Sequence, residues 1–559
     1  MRQPAQRRKP AKVQVTSFMA PTGGLVSNRN LAMARGPDLP PGAAVLRNFF
    51  PTATGVILRR GSRRWASIDS DAPVKSLFTY TAGSQREFFA ATDAGIWDIT
   101  TVANPFSYAV VTEDDYYIAA DDTGDGVVIG ESSLPAVGDL TGTTNGNWTV
   151  VQFATAGGTF LVGVNGADDA FLYDGTAFTA TAITFPVGSS LTTADLSYVW
   201  VYKQRLYFIE RDSLNVWYLP VDQIGGELTL FPMGGIFVRG GNLVWGQTWS
   251  LDNGGSGGLS EQCVFTTTEG EVAAYQGLSP DVDQGWTKVG VYRIGKPLGK
   301  KAFIRAGGDL VIATSVGFVS LSAASRYDYA ALGQNAVSYD IEDDWAQAVQ
   351  LRGQEDWRCE VWADGQMALV SPPFTGSQAP VIFVSNVNTG KWCTVTGWDA
   401  RSLEVFDGRL FFGTSVGTVL NGWVGGTDDG LPYSAQCLPL FDNLGAPASL
   451  KVVKMARAVM RSAYPVSPQL SGQVNYRVNF QPPQAVPPIA VGNEWDNATW
   501  DTSVWDAEQG DIVVGDWVSV GGSGHDIAIG AQIASGAIVP LDAELVRVDL
   551  TYTVGEVGT

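Results

Sequence analysis

One recurring pattern dominates the sequence: a short apolar strand, a turn of Gly, Asp or Asn, and a second short strand. Seven such pairs are spaced by 72, 46, 57, 47, 57 and 43 residues, counted from Phe88, Phe160, Leu206, Cys263, Leu310, Met367 and Leu410. Propeller blades recur about every 40 to 50 residues. One such sheet cannot bury both faces, so similar sheets stack until a ring closes. The sequence therefore predicts an all-β protein, a β-propeller of six or seven blades with an additional C-terminal β domain.

The blade count stays open because the first and last strand pairs can belong to one blade. A β-sandwich of the same strands is the alternative fold, since alternating strands separated by frequent turns fit it as well. The composition fits either fold, because 65 Gly and 18 Trp with only 16% charged residues are typical of a turn-rich β protein.

One segment departs from the strand pattern. Ile341, Trp345 and Val349 are spaced by four residues and so share one face of a helix. We expect a short helix there, inserted between blades. The segment KVVKMARAVMR, residues 451–461, fits either type of element, because its bases align on a helix while its Val residues favour a strand.

Composition divides the chain into four parts. A basic N-terminal arm spans residues 1–66, the propeller spans 67–430, and the strands of a platform follow in 431–480. Residues 481–559 form an acidic, Trp-rich β region that begins with a Pro-rich linker. Its candidate channel or tip residues are Trp495, Asp496, Trp500, Asp501, Trp505 and Asp506.

Charge is distributed unevenly along the chain. The formal net charge is -20, yet the first 65 residues hold twelve Lys or Arg and a single acid, Asp38. From Gln481 onward there are twelve acids and one base, Arg547. A basic arm can bind nucleic acid or an acidic protein surface, whereas the acidic body repels phosphates and does not bind DNA by counterion release.

Residues suited to catalysis or metal binding are sparse. The one histidine, His525, lies in a Gly-flanked turn. The four cysteines are far apart and lack metal spacing, which favours buried apolar positions for them. Nucleotide-binding loops and zinc-protease motifs are absent from the sequence. We therefore expect no enzyme, no cofactor and no metal.

The stretch DDTGDGVVIGES, residues 121–132, partly matches a calcium loop. Asp121, Thr123 and Asp125 alternate before Gly126, but the position of the closing Glu is Ser132. A turn with solvated acids is the better interpretation, and calcium binding there stays open.

The N-terminus is basic but no apolar stretch follows it, and no run of 18 apolar residues occurs in the sequence. These features predict a soluble protein without a membrane segment, synthesised in the cytoplasm.

The stretch NFFPTATGVILRRGSRRW, residues 48–65, combines aromatic rings with two Arg pairs. Such a mixture is enriched in protein interfaces, although a turn with a solvated basic face is the alternative interpretation. We interpret it as an anchoring interface. The predicted interface residues, with three bases of the arm, are Arg7, Arg8, Lys9, Phe49, Phe50, Arg59, Arg60, Arg63, Arg64 and Trp65.

Four segments, taken in order, resemble tail-nozzle (packaged-DNA stabilisation) proteins of short-tailed bacteriophages. They are GGLVSNRNLA (23–32), LPPGAAVLRNFFPTATGVILRRGS (39–62), YDYAALGQNAVSYDIEDDWAQAV (327–349) and GKWCTVTGWDARSLEVFDGRLFFGTSVGTVL (390–420). The resemblance implies a virion protein that forms a sixfold ring below the portal and adaptor. That ring would extend the DNA channel, close it until infection and let the genome pass without specific binding. The basic residues would then dock on the adaptor or a neighbouring subunit, and tail fibres or spikes are further candidate partners.

A carbohydrate-binding or glycan-cleaving propeller, either a tail adhesin or a secreted protein, is the alternative function. Exposed Trp residues would serve sugar binding, and paired acids such as Asp343 with Asp344 would serve hydrolysis. Acids are so numerous in this sequence that such a pair carries little information by itself.

Overall fold

The computed structural model describes most of the chain. The described residues are 13–27, 40–68, 72–100, 110–111, 117–120, 127–128, 138–252, 259–281, 285–374, 378–462, 464, 466, 468–483, 512–536 and 539–555. Several predicted features lie outside them, namely Arg7, Arg8 and Lys9, the six channel or tip residues between 495 and 506, and most of the 121–132 stretch.

Within the described residues, five strands precede the repeated sheets. They are β1 (Val13–Met19), β2 (Ala43–Arg47), β3 (Phe49–Pro51), β4 (Val56–Leu58) and β5 (Ser62–Ser67).

Four four-stranded antiparallel sheets follow, which we call blades 1 to 4. Blade 1 contains β6 (Ser76–Ala82), β7 (Gln85–Thr92), β8 (Gly95–Asp98) and β12 (Gly138–Thr141). Between β8 and β12 the chain forms a separate small sheet of β9 (Val110–Val111), β10 (Tyr117–Ala120) and β11 (Val127–Val128). Blade 2 contains β13 (Thr149–Thr155), β14 (Gly158–Val164), β15 (Phe171–Tyr173) and β16 (Phe178–Ala180). Blade 3 contains β18 (Leu196–Tyr202), β19 (Arg205–Glu210), β20 (Asn215–Tyr218) and β22 (Thr229–Pro232), while β17 (Ile183–Thr184) and β21 (Gly226–Glu227) pair in parallel beside it. Blade 4 contains β23 (Leu243–Asp252), β24 (Leu259–Thr267), β25 (Glu271–Gly277) and β26 (Trp286–Arg293).

A three-stranded sheet and two further blades complete the repeats. The three-stranded sheet contains β27 (Phe303–Ala306), β28 (Asp309–Thr314) and β29 (Gly317–Ser320). Blade 5 contains β30 (Arg358–Trp362), β31 (Met367–Ser371), β32 (Val381–Asn386) and β33 (Lys391–Thr396). Blade 6 contains β34 (Ser402–Phe406), β35 (Arg409–Gly413), β36 (Thr418–Gly422) and, from the N-terminal part of the chain, β5.

These sheets form a closed ring, which confirms the predicted β-propeller. The first strand of each sheet packs against the next sheet, from β6 through β13, β18 and β23 to the three-stranded sheet, then to β30 and β34, and β34 packs back on β6. Within the described residues the ring holds six four-stranded blades, with the three-stranded sheet between blades 4 and 5. Each of the seven positions used to count the repeat lies on the second strand of its sheet.

The ring closes through a strand from the other end of the chain. β5 pairs antiparallel with β36, so that Ser67 lies opposite Thr418 and Ser62 opposite Gly422. The predicted boundary between arm and propeller at residues 66 and 67 therefore falls inside a strand of blade 6. The sequence did not predict this strand, because the adjacent and exposed Arg63 and Arg64 interrupt the alternation of apolar and polar residues.

The predicted helix is confirmed. α1 (Leu321–Arg326) and α2 (Glu342–Arg352) follow the three-stranded sheet, and Ile341, Trp345 and Val349 are buried as one face. Single turns of 3₁₀-helix occur at Thr193–Asp195, Tyr329–Ala331, Gly333–Asn335 and Tyr339–Ile341.

The predicted burial of cysteine is confirmed for Cys263, Cys393 and Cys437, while Cys359 is half-buried.

The C-terminal part adds a second β layer, as predicted. Its strands are β37 (Tyr433–Pro439), β38 (Lys451–Arg461), β39 (Gln469–Val474), β40 (Ile512–Val514), β41 (Val518–Ser519), β42 (Ser523–Gly524), β43 (Ile527–Ser535) and β44 (Glu544–Val554). The ambiguous segment 451–461 is thus a strand. β2, β37, β43 and β39 extend blade 5 into an eight-stranded sheet, and β44 pairs with β1, β4 and β38 in another. Both ends of the described chain therefore lie in one sheet.

Asp549 of β44 joins three strands of that last sheet. Its carboxylate accepts hydrogen bonds from Ser17 Oγ (2.6 Å), Arg457 Nε (2.9 Å) and Arg547 Nε (3.0 Å). Burial acts to raise the pKa of Asp549, but these hydrogen bonds outweigh it and lower that pKa below its ordinary value. The charged carboxylate therefore stabilises the sheet.

We predict that Asp549→Asn lowers the free energy of unfolding at pH 7 by about 1.5 to 3 kcal/mol, the usual contribution of hydrogen bonds to a charged group. Because the pKa in the folded protein is depressed, this contribution is present above the pKa of an unfolded Asp, about 3.9, and is lost as the pH falls through the folded value. Urea unfolding of both proteins between pH 7 and pH 3 measures the difference, which should shrink in acid. Asp516→Asn, at an exposed position, is the control, and a difference independent of pH would contradict the prediction.

Candidate functional site

The four segments that carry the family resemblance meet in the folded chain. The Leu25 N–H donates to the Trp392 carbonyl (2.7 Å), and the Ser27 N–H donates to the Asp340 carbonyl (2.9 Å). Lys391 Nζ in turn contacts the Asp340 carboxylate at 3.1 Å. We call the unit formed by residues 23–27, 43–59, 337–345 and 391–398 the clasp. It joins two segments near the start of the described chain to two segments that lie hundreds of residues further along.

Asn48 fixes the N-terminal segment between blade 5 and the C-terminal layer. Its φ of +56° lies in the left-handed region, which Asn tolerates better than most residues. Its N–H donates to the Thr394 carbonyl (2.8 Å), its side-chain amide donates to the Ser434 carbonyl (2.7 Å), and its side-chain oxygen accepts from the Thr396 N–H (2.9 Å). One residue thus links β33 to β37.

Arg59 is the centre of the clasp, and its side chain is fully buried. Nε donates to Asn48 Oδ1 (2.8 Å), and Nη1 donates to the Arg60 carbonyl (2.9 Å) and to Asp428 Oδ1 (2.8 Å). Nη2 donates to the Thr396 carbonyl (3.0 Å) and to Asp428 Oδ2 (2.5 Å). All five guanidinium N–H groups therefore have acceptors, which is what a buried Arg requires.

Two aromatic rings enclose the same guanidinium. Its carbon lies 3.9 Å from the ring centroid of Tyr433 and 5.1 Å from that of Trp398. Trp398 Nε1 donates to Asp428 Oδ1 (2.9 Å), and the Tyr433 hydroxyl donates to the Arg59 carbonyl. Burial raises the pKa of Tyr433 to about 12, so the hydroxyl keeps its proton at neutral pH.

The other predicted Arg residues lie nearer the surface. Arg60 forms a bidentate ion pair with Asp542, with both hydrogen bonds at 2.8 Å, and Arg64 forms an ion pair with Asp429 at 2.7 Å. Arg63 is exposed, and no carboxylate among the described residues lies within ion-pair distance of it.

These positions correct part of the predicted interface. Phe49 and Phe50 are 1% and 4% exposed and belong to the largest apolar core, and Arg59 is bound within its own chain. Trp65 is half-buried, and its Nε1 donates to the Ile99 carbonyl (2.8 Å). The stretch 48–65 anchors the chain to itself, and Arg63 with the half-exposed Arg60 and Arg64 remains as the part accessible to a partner.

Polar side chains bridge the centre of the ring, a feature that the sequence did not predict. Lys300, just before the three-stranded sheet, donates from Nζ to the Asn147 carbonyl before blade 2 (2.5 Å). Arg358, at the start of blade 5, donates from Nη2 to Asn147 Oδ1 (3.0 Å). Blades 2 and 5 are not neighbours, so these contacts cross the central opening.

Charges in this central cluster are strongly perturbed. Burial lowers the pKa of Lys300 to about 7 and lowers that of Lys301 well below its ordinary value. Burial also raises the pKa of Glu360 to about 7 and that of Glu404 well above its usual range. No local motif signals the cluster, because its members come from separate blades and are distant in sequence.

Features that would support catalysis are few in the described part of the chain. His525 is exposed, and its carbonyl accepts a hydrogen bond from Lys451 Nζ (2.6 Å). No group of three or more His, Cys, Asp or Glu among the described residues is placed to hold a metal ion. None of the helices described here combines the length and the apolar character needed to cross a membrane.

Comparison with known proteins gives only distant likenesses. No family model and no curated protein matches the sequence. Among solved structures, the computationally designed Ika8 protein is 11% identical, with a TM-score of 0.32 over 65% of this chain and 100% of that chain. BBS1N, solved in complex with ARL6DN, is 11% identical, with a TM-score of 0.33 over 66% and 98%. YCF48 from Cyanidioschyzon merolae is 10% identical, with a TM-score of 0.27 over 65% and 98%. Likenesses at this level say nothing of function, and the fold assignment rests on the strand pairing described above.

We predict that Arg59→Met lowers the free energy of unfolding by about 3 to 5 kcal/mol, because it leaves the Asp428 carboxylate largely buried without its cation. The double variant Arg59→Met, Asp428→Leu should recover part of this loss, since it removes both charges. Guanidinium unfolding followed by Trp fluorescence measures both.

Arg86→Met is the matched control for this prediction. Arg86 forms an ion pair with Asp407 in which both side chains are about half exposed, so a loss of only about 0 to 1 kcal/mol is expected. Equal losses in Arg59→Met and Arg86→Met would contradict a central role for Arg59.

Proposed function

We propose that the chain is a structural subunit of a short bacteriophage tail, of the nozzle type, and not an enzyme. The observation that carries the proposal is the clasp. The segments that resemble tail-nozzle proteins are dispersed over the sequence, yet they bind one another directly in the fold. A chance resemblance would have no reason to select segments that form one structural unit.

The bridged centre of the propeller bears on where DNA would pass. Because hydrogen bonds from Lys300 and Arg358 to Asn147 cross the opening, duplex DNA has no path through the ring of one chain. A conduit would therefore lie between subunits arranged around a common axis, in agreement with the sixfold ring that the resemblance implies. Closed-ring symmetry is the usual way in which identical subunits enclose a channel.

The charge of the chain suits a conduit through which DNA slides. Beyond the basic arm the sequence is strongly acidic, with twelve acids and one base after residue 480. An acidic wall repels phosphates, so passing DNA is not retained by ion pairs. The genome would thus be held by closure of the channel and released on ejection, without specific binding.

Two features offer contacts to neighbouring subunits or to an adaptor. β1 exposes Val13, Val15 and Met19, at 55%, 66% and 55%, on a strand whose only partner among the described residues is β44. An exposed apolar edge strand is a ready surface for another chain. The second feature is the exposed Arg63 on β5, one of the bases of the N-terminal arm.

The direct test is immunogold electron microscopy of virus particles from the source of the sequence, with antibody raised against the whole chain. Label on a short tail is the expected result. Tailed particles without label, together with abundant protein free in the medium, would overturn the proposal.

We predict that Arg63→Glu reduces the fraction of particles that carry a complete tail by at least several-fold, because the exposed cation would face an acidic partner surface. Negative-stain electron microscopy of particles made with the variant subunit gives this fraction. Lys288→Glu is the matched control, since Lys288 is also exposed on the outer strand of a blade and changes charge equally. Normal tails in Arg63→Glu particles would remove Arg63 from the proposed interface.

A further inference from the structure

A pocket of about 380 Å³ lies where the β3–β4 hairpin meets the turns of blade 5. Its apolar wall contains Phe50, Trp362 and Trp423, and its polar rim includes Asp364 and Thr389. This volume falls at the small end of the range typical of pockets for small ligands. The pocket borders the clasp, with which it shares Phe50, Thr52, Ala53 and Ile57, but it contains none of the groups that bind Arg59.

The aromatic wall forms a corner. The ring centroids of Trp362 and Trp423 are 6.3 Å apart with their planes at 66°, and those of Phe50 and Trp423 are 5.9 Å apart at 78°. Trp362 Nε1 donates to the Gly408 carbonyl (2.7 Å), which fixes the orientation of its ring. Both Trp rings are partly exposed, so each can contact a ligand.

Trp423 adopts an unusual backbone conformation. Its φ of +63° lies in the left-handed region, which is rare for a bulky residue and is retained only where the surroundings fix it. A glycine would adopt this φ without strain. The position thus presents a large ring at a site where the backbone favours none.

The polar rim supplies groups that a hydroxylated ligand can bind. Asp364 and Asn388 are exposed beside the rings. The Thr389 hydroxyl is shielded from solvent and has no hydrogen-bond partner among the described residues. Such a group gains stability from an incoming donor or acceptor.

We propose that this pocket binds a neutral pyranose unit of a saccharide. A pyranose ring presents an apolar C–H face, which suits the two Trp rings, and hydroxyl groups, which suit the carboxylate, amide and hydroxyl of the rim. The net charge of -20 disfavours anionic sugars. The site does not depend on the tail role, because it rests on the pocket alone, but on a tail subunit it would contact polysaccharide at the host surface.

The test uses the full chain on an array of neutral and of uronic-acid-containing oligosaccharides, with saturation-transfer NMR of the neutral glycans that bind. Binding to at least one neutral glycan is expected, with at least tenfold weaker binding by Trp423→Gly. This variant removes the ring while glycine accepts the backbone conformation. Because Trp423 also packs against the apolar core, the melting temperature is measured first and binding is compared between folded proteins. Trp362→Ala is the second variant, and Thr389→Val tests the hydroxyl.

Trp517→Ala is the control, since Trp517 is half-buried against Arg457 in the second layer, 4.9 Å from the guanidinium carbon. Unchanged glycan binding by Trp423→Gly, or no binding to any neutral glycan, would overturn the proposal. A Pro-rich peptide is the competing occupant, because aromatic grooves also bind extended proline segments. Binding of the peptide QPPQAVPPIAVG in place of any glycan, lost in Trp423→Gly, would identify a peptide site and refute the saccharide. The immunogold result decides the tail role independently.

Discussion

The buried ion pair of Arg59 and Asp428 is the interaction on which the arrangement of the chain depends. Removing a guanidinium from water is costly, and the cost is offset only because every N–H finds an acceptor and two rings cover the faces. The acceptors come from the N-terminal segment, from blade 5 and from the residues after blade 6. The pair therefore positions the second β layer against the propeller with an angular precision that apolar packing alone does not give.

Charged side chains are also removed from water at the centre of the ring, but there they are not fully paired. There, Lys300 lies close to other charged groups, and burial lowers its pKa. Burial raises the pKa of Glu360 in the same cluster. Both shifts favour the neutral form of the side chain. Hydrogen bonds from Lys300 and Arg358 to Asn147 tie opposite sides of the ring. If copies of this ring surround a channel, the wall of the channel belongs to their outer surfaces, and the apolar edge of β1 is available to join them.

The sequence predicted the features that local periodicity encodes. Strand pairs at the positions of Leu206 and Met367, and the helix carrying Trp345, follow from spacing alone. The clasp could not be derived in this way, because Asn48 and Arg59 owe their roles to partners hundreds of residues away. In the sequence Arg59 looked like a surface residue, because composition gives the charge of a side chain but not the carboxylate with which it pairs. The aromatic corner at Trp423 could not be predicted from the sequence either, because its rings come from separate segments and its backbone conformation is unusual for Trp.

Ring closure by β5 has a consequence for synthesis. Ser62–Ser67 leaves the ribosome well before Thr418–Gly422, the strand with which it pairs in the folded chain. During that interval it is an open strand edge, and the charges of Arg63 and Arg64 protect it from wrong pairing. A chain that ends prematurely never supplies β36 or Asp428, so it leaves blade 6 incomplete and Arg59 unpaired. The fold thereby distinguishes complete from truncated chains.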